Sequence, residues 1–204
     1  RKCMSMKLSG PPGCGCVSHS AGSRHCRYRT RPRVYPRLRL SKRTLPSAIA
    51  ADIVPGPLAA AVAHVRGAGL TDRIDCRLGD GLTCIQAGEV DGAVICGMGG
   101  PLMVKILQNS YEVWQSLHFA VLQPQSEAGI LRRYLYQHGW HIEDERLVID
   151  DGRFYEMMRA VPGQADALPD WLYDIGPVNW QRRDPLLGRK IDILMETKGI
   201  SWKA

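Results

Sequence analysis

The first 47 residues contain no acidic side chain. From Arg1 to Ser47 there are 12 lysines and arginines and neither Asp nor Glu, which leaves 15 basic residues against all 20 acidic ones from Ala48 onward. The net charge of +7 is therefore misleading as an average: the body of the chain stands at −5, and the basicity belongs wholly to the first segment. Long apolar runs are missing too. None reaches the roughly 20 residues that a membrane-spanning helix requires, and the amino terminus lacks the short apolar core of a secretory signal. A soluble, cytoplasmic protein with no membrane partner is the expectation. The seven cysteines are odd in number and show no paired framework, which makes reduced thiols the default. With 204 residues and 45% hydrophobic content, one substantial core plus a small appendage is expected.

What is present falls into three parts: a basic segment over residues 1–44, an α/β body over 45–163 and a tail over 164–204. The stretch Pro11–Thr44 scatters nine lysines and arginines among Pro, Gly and Cys with neither helical nor strand periodicity. Taken literally it is a disordered basic arm suited to phosphate contacts. Cys14, Cys16, His19, His25 and Cys26 are zinc-ligand types, but their spacing fits no common knuckle or finger, so no metal site is expected.

From Ser47 the character changes. Ala48–Ile53 reads as a short buried strand closing on Asp52, and Pro57–Gly67 as an alanine-rich helix with Pro at its start and Gly at its end. Ile74–Leu78 alternates as a second strand and leads into Gly79-Asp80-Gly81; Leu82–Gly88 reads as a short helix. Asp91–Gly100, DGAVICGMGG, is an apolar strand ending abruptly in glycines, and Pro101–Asn109 continues it as a helix. Phe119–Leu122 is a further buried strand ending at Gln123-Pro124. Ser126–His138 follows as an amphipathic helix, with Ser126 as its cap, Ile130, Leu131, Tyr134 and Leu135 inward and Arg132 and Arg133 outward. Trp140–Ile149 and Arg153–Val161 form a hairpin about Asp150-Asp151-Gly152. This alternation predicts a doubly wound α/β sheet with a terminal hairpin. Such a sheet should begin with a strand and a glycine-bearing loop before Ala48, where the sequence offers only the basic stretch.

A strand feeding a glycine loop and then a helix is the ligand-binding edge of such a sheet, because Gly97, Gly99 and Gly100 let a ligand approach the backbone. Asp52, at the end of the preceding strand, has the position from which a carboxylate accepts hydrogen bonds from ribose hydroxyls. Asp80, in its GDG turn, could accept from an adenine amino group. Each Asp on its own also suits a helix cap or a turn. Three adjacent strand ends carrying suitable groups favour a nucleotide-like ligand.

The pieces AIAADIVPGPL, GDGL, ICGMGGPL, VLQP and DGRFYE, spread over Leu45–Pro162, resemble the TrmK family. Its members are bacterial S-adenosylmethionine-dependent methyltransferases that modify N1 of adenine 22 in tRNA. GMGG followed by LQP at this separation is the specific part. The resemblance implies a class I, Rossmann-like methyltransferase domain with S-adenosylmethionine as cofactor and tRNA as partner. It further implies Asp52 near the cofactor ribose, Asp80 and Gly81 near its adenine, and Gly97, Met98, Gly99 and Gly100 beside the transferred methyl, with Gln123 and Pro124 in the same cleft. Gly97–Gly100 is not the Asn/Asp-Pro-Pro-aromatic motif associated with exocyclic amines. Adenine N1 already has an in-plane lone pair, so its attack on a sulfonium methyl needs alignment more than a strong base. The cationic product would favour a nearby carboxylate, and no residue as written obviously supplies one; the catalytic group stays unassigned.

The family places a pattern like ADIGxDHAYxP immediately upstream of its AIAADI-like strand, where this chain has Cys26–Pro36, CRYRTRPRVYP. Back-translated and moved by one nucleotide, that stretch permits Ala-Asp-Ile-Gly-x-Asp-His-Ala-Tyr-Ile-Pro. Pro11–Thr44 accordingly reads as out of frame, with the first strand and main cofactor loop missing from the chain as written and activity impaired. In the tail, Gly176-Pro177 and Asp184-Pro185-Leu186-Leu187 resemble the entry to the family's carboxy-terminal helices, of which this chain would hold a shortened version. Arg182, Arg183, Arg189 and Lys190 could reach phosphates there. The alternative is a non-catalytic RNA-binding protein that uses the basic arm on a methyltransferase-like scaffold. A nicotinamide-dependent oxidoreductase is a distant third, since the dinucleotide glycine fingerprint is absent.

Overall fold

The computed structural model describes residues 2–7 and 47–198, the first of these as backbone only. The zinc, frame and arm readings of Pro11–Thr44 lie outside the described residues. Seven strands form one sheet in the order β3-β2-β1-β4-β5-β7-β6. They are β1 (Lys2–Lys7), β2 (Ser47–Asp52), β3 (Ile74–Leu78), β4 (Gly92–Met98), β5 (Phe119–Pro124), β6 (Trp140–Asp150) and β7 (Arg153–Pro162). The helices are α1 (Pro55–Gly67), α2 (Gly100–Asn109), α3 (Tyr111–Gln115), α4 (Ala128–Gln137), α5 (Asp170–Ile175), α6 (Pro177–Arg182) and α7 (Leu187–Lys198).

Period-two burial explains the centre of the sheet. In β4, Ala93 and Ile95 enter the large core, while Val94 and Cys96 face the other side with Ala48. Covered on both faces, the strand has no polar alternation to show. The large core stacks Trp114 on Trp140, centroids 3.8 Å apart, between α3 and the start of β6. Met103, Ile106 and Leu107 of α2 and Leu131 and Leu135 of α4 fill the space between. α1 starts with Pro at its first turn, carries His64 and Arg66 in its last, where cations suit the helix dipole, and stops after Gly67.

Strands β2 and β3 pair in parallel, as do β4 and β5. β1 lies antiparallel to both β2 and β4, so these four strands all end at one edge, at Asp52, Leu78, Met98 and Pro124. The slot in which sequence reasoning expects a missing first strand is therefore filled, by Lys2–Lys7 running backwards. An unfilled slot would leave the inner backbone groups of β2 and β4 without partners, and any strand of suitable length, in either direction, satisfies them. The reversal sets which end of β1 meets each edge of the sheet. β1 brings its amino end to the edge where the parallel strands finish, and its carboxy end, Lys7, pairs with Ser47 at the opposite edge.

Three local expectations change. Leu82–Gly88 is a series of turns instead of a helix. Arg77 donates to the carbonyl of Cys84 at 3.0 Å and makes a paired contact with Glu89, which takes that carbonyl out of any helical ladder. α4 starts two residues after Ser126, which does not cap it; Glu127 precedes the helix in a left-handed conformation at φ 51° with no side-chain cap. Arg132 is fully buried, whereas Ile130 is 45% exposed. The reason is long-range. Glu145 of β6 takes the Arg132 Nε at 2.6 Å, Glu156 of β7 takes Nη2 at 2.8 Å, and the Tyr173 carbonyl takes Nη1 at 2.8 Å. Gly129, weak in a helix by propensity, is needed there: a Cβ would meet Asp174 Oδ1 at 2.4 Å.

Candidate functional site

The parallel strands deliver their carboxy ends to one edge, as open α/β sheets do at the point where strand order reverses. Asp52 closes β2 and is only 6% exposed. Its Oδ1 accepts the Val54 N–H at 2.9 Å, while Oδ2 is buried with no partner among the described residues. A buried carboxylate oxygen without a donor is costly unless a ligand supplies one. Asp80 is exposed at the tip of the next turn. Its flanking glycines are steric requirements: a Cβ on Gly79 would meet the Cys84 Cβ at 2.5 Å, and one on Gly81, at φ 65°, would meet the Ile106 methyl at 2.6 Å.

Asp52 and Asp80 share a small pocket with Ala51, Ile53, Gly79 and Gly81, and Met98, Leu102 and Ile106 give it an apolar side. Two carboxylates on one side and aliphatic groups on the other suit a ribose hydroxyl pair next to a flat base. A larger cleft of about 260 Å³ lies at the opposite edge, around Ser47, Arg73 and Glu89, away from these strand ends.

The β4 loop forms the neighbouring wall. Strand β4 bulges between Cys96 and Met98, where Gly97 is exposed at φ 79° and Met98 is buried. The Met98 carbonyl accepts the Gln125 N–H at 2.8 Å, and the Gly100 N–H donates to the Ser126 carbonyl at 2.8 Å. Gly100 has no room for a side chain, since a Cβ would lie 2.3 Å from the Glu127 carbonyl oxygen. Gln123 is 1% exposed and spends both ends of its amide inside the protein: Oε1 accepts the Gly97 N–H at 3.0 Å and Nε2 donates to the Pro124 carbonyl at 3.1 Å. It therefore braces the loop and does not face the pocket. Burial pushes the Cys96 thiol up to about 12, which keeps it protonated and unreactive beside the loop.

The structure brings Asp52, Asp80, Gly81 and Met98, all named from the sequence, to one pocket with Gly97–Gly100 as the adjoining wall, whereas Gln123 and Pro124, expected in the same cleft, do not line it. Sequence reasoning does not identify Leu102 and Ile106, whose helical spacing marks them only as core. Of the basic tail residues, Lys190 is 5% exposed and paired with Glu156, which removes it from phosphate contact; Arg182 pairs with Asp144. Among the described residues no group of side chains is arranged to hold a metal ion, and no helix is long and apolar enough to cross a membrane.

A seven-stranded sheet in this order, with an acid at the second strand end and a glycine loop at the fourth, defines the class I methyltransferase fold. The methyltransferase-domain model matches residues 35–158. The chain belongs to the TrmK family of methyltransferases. It is 37% identical over 123 residues to a tRNA (adenine(22)-N(1))-methyltransferase of Bacillus subtilis, covering 60% of this chain and 52% of that protein. The chain thus spans about half the length of this curated relative. Among solved structures it is similar to a candidate tRNA (m1A22) methyltransferase of Streptococcus pneumoniae in complex with S-adenosyl-L-methionine. The TM-score is 0.71 at 31% identity, over 74% of this chain and 71% of that one. It is also similar to the B. subtilis m1A22 tRNA methyltransferase TrmK, with a TM-score of 0.67 at 30% identity, over 74% and 67% of the two chains.

Proposed function

We propose that this protein uses S-adenosylmethionine to methylate N1 of adenine 22 in tRNA, with the 45–163 body as the catalytic domain and the 164–204 tail as a helical appendage. The observation that carries the reading is the unpartnered, buried Oδ2 of Asp52 in the pocket shared with Asp80. It fits the cofactor's nucleoside: Asp52 takes a ribose hydroxyl, Asp80 the adenine amino group, and Leu102 and Ile106 flank the base. Relatives solved with S-adenosyl-L-methionine and of the same family support the cofactor. When bound, that cofactor supplies an electrophilic sulfonium methyl.

The chain's own part is placement. Gly97–Gly100 forms a wall with little side-chain bulk, against which a flat acceptor base can align its in-plane N1 with the methyl. No thiol nucleophile is needed, in keeping with the protonated Cys96. Among the described residues, the cofactor contacts rest on the Asp52–Asp80 half of the cleft.

The test uses the full chain, unmodified tRNA and methyl-labelled cofactor, with digestion to nucleosides and detection of 1-methyladenosine. Formation of 1-methyladenosine at position 22 is expected, with calorimetry showing S-adenosylhomocysteine binding. Absence of both product and cofactor binding would overturn the reading.

A further inference from the structure

Gln123 is a buried polar side chain at the ligand edge with both ends of its amide committed, and one partner, Gly97, is the residue that departs from the sheet. The bulge between Cys96 and Met98 leaves the Gly97 N–H out of the β4–β5 ladder. The extra residue of a bulge is left unpaired in the ladder, and bulges beside functional sites re-aim a side chain or end the pairing. Here the amide goes to Gln123 Oε1 at 3.0 Å, while Gln123 Nε2 is tied to the Pro124 carbonyl at 3.1 Å. A primary amide is the side chain suited to this bridge, since it accepts at one atom and donates at the other.

Gly97 and Met98 are held by different means. Met98 is buried, lines the pocket, and is fixed by its own pairing with Pro124 and by the Gln125 N–H. Gly97 is exposed, and the nearest group to where its side chain would be is 3.9 Å away. Removing the Gln123 amide frees the exposed residue and leaves the pocket-lining one in place.

We propose that Gln123 is a positioning residue for methyl transfer: it locks the Gly97 bulge so that the acceptor base meets a fixed wall, and it does not bind the cofactor. The proposal rests on the methyltransferase reading. Glutamate in its protonated form reproduces both hydrogen bonds of the amide, accepting from Gly97 and donating to Pro124, whereas the carboxylate cannot donate to the Pro124 carbonyl.

The experiment compares the full-length chain with Gln123→Ala and Gln123→Glu in three measurements: 1-methyladenosine formation across pH, S-adenosylhomocysteine affinity, and amide exchange of Gly97. For Gln123→Ala the expected result is a turnover at least about tenfold lower, cofactor affinity within about twofold of wild type, and Gly97 exchange faster by about tenfold or more. Gln123→Glu is expected to keep turnover at the acid end of the range and lose it as pH rises, a dependence absent from wild type. Equal turnover in Gln123→Ala and wild type, a parallel loss of cofactor affinity, or unchanged Gly97 exchange would overturn the proposal. A wild-type chain that makes no 1-methyladenosine counts against the methyltransferase reading instead, and Gly97 exchange still decides whether Gln123 holds the bulge.

Discussion

The ligand edge and the joint beneath the carboxy-terminal helices treat buried charge in opposite ways. At the joint, Arg132 meets Glu145 and Glu156, Lys190 meets Glu156, and the second oxygen of Glu145 accepts the N–H groups of Val178 and Asn179 at 3.0 and 3.2 Å. The charges there are matched, and the Asn179 amide is the polar group beside them left without partners. At the ligand edge a carboxylate oxygen of Asp52 is buried and unmatched. A matched set of charges orders the structure, whereas a buried carboxylate oxygen without a donor on the wall of a pocket has room for a ligand's hydroxyl. Sequence reasoning sees both as charged residues near hydrophobic ones; only partner geometry separates them.

That contrast can be broken most sharply at Arg132. Arg132→Met leaves Glu145 buried without a cation and Glu156 with Lys190 alone, and should cost about 3–5 kcal/mol in urea unfolding. A loss below about 1 kcal/mol would show that the joint is not a matched network. Asp52→Asn should do the reverse, changing unfolding free energy little while weakening S-adenosylhomocysteine binding by about ten- to a hundredfold, the worth of a hydrogen bond to a charged group. Calorimetry decides it, and unchanged affinity would remove Asp52 from the site.

Gly100→Ala tests the backbone contact between the two loops. A Cβ lies 2.3 Å from the Glu127 carbonyl oxygen, so about 1–3 kcal/mol of stability should be lost through overpacking, read as a lower Tm. The smallest effect is on pH dependence. Burial raises the pKa of Glu156, but Arg132 and Lys190 outweigh it and hold the carboxyl below the ordinary carboxylate range. Burial also pulls the Lys190 ammonium down, only partly offset by Glu156. As pH falls the unfolded chain binds the Glu156 proton before the folded chain does, so this contribution is full above the ordinary carboxylate range and is lost as pH drops through the lowered value. Glu156→Gln should therefore show a shallower acid decline in urea midpoint than wild type.

The candidate site was legible where its signals are local. Asp52 and Asp80 stand at strand ends beside glycines, and Gly97–Gly100 follows an apolar run, so strand periodicity and glycine placement sufficed to group them. Gln123 was legible as a member of the same edge but not in its role, because its partner Gly97 lies 26 residues earlier and the bulge that frees that amide leaves no mark in the sequence. Arg132 was misread for the same reason. Its helical phase admits either face, and the deciding partners are 13 and 24 residues away on β6 and β7.

By itself the sequence determined the alternation of the main strands and helices from β2 to β7, the glycine loop at the end of β4 and the acids at the ends of β2 and β3, since each depends on residues a few positions apart; β1, α3 and the turns over Leu82–Gly88 were not legible. The tertiary structure alone decided which strand fills the centre of the sheet and in which direction. Backbone hydrogen bonding fills that slot with Lys2–Lys7 antiparallel to both neighbours, and such bonding is blind to the side-chain pattern by which strands are recognised.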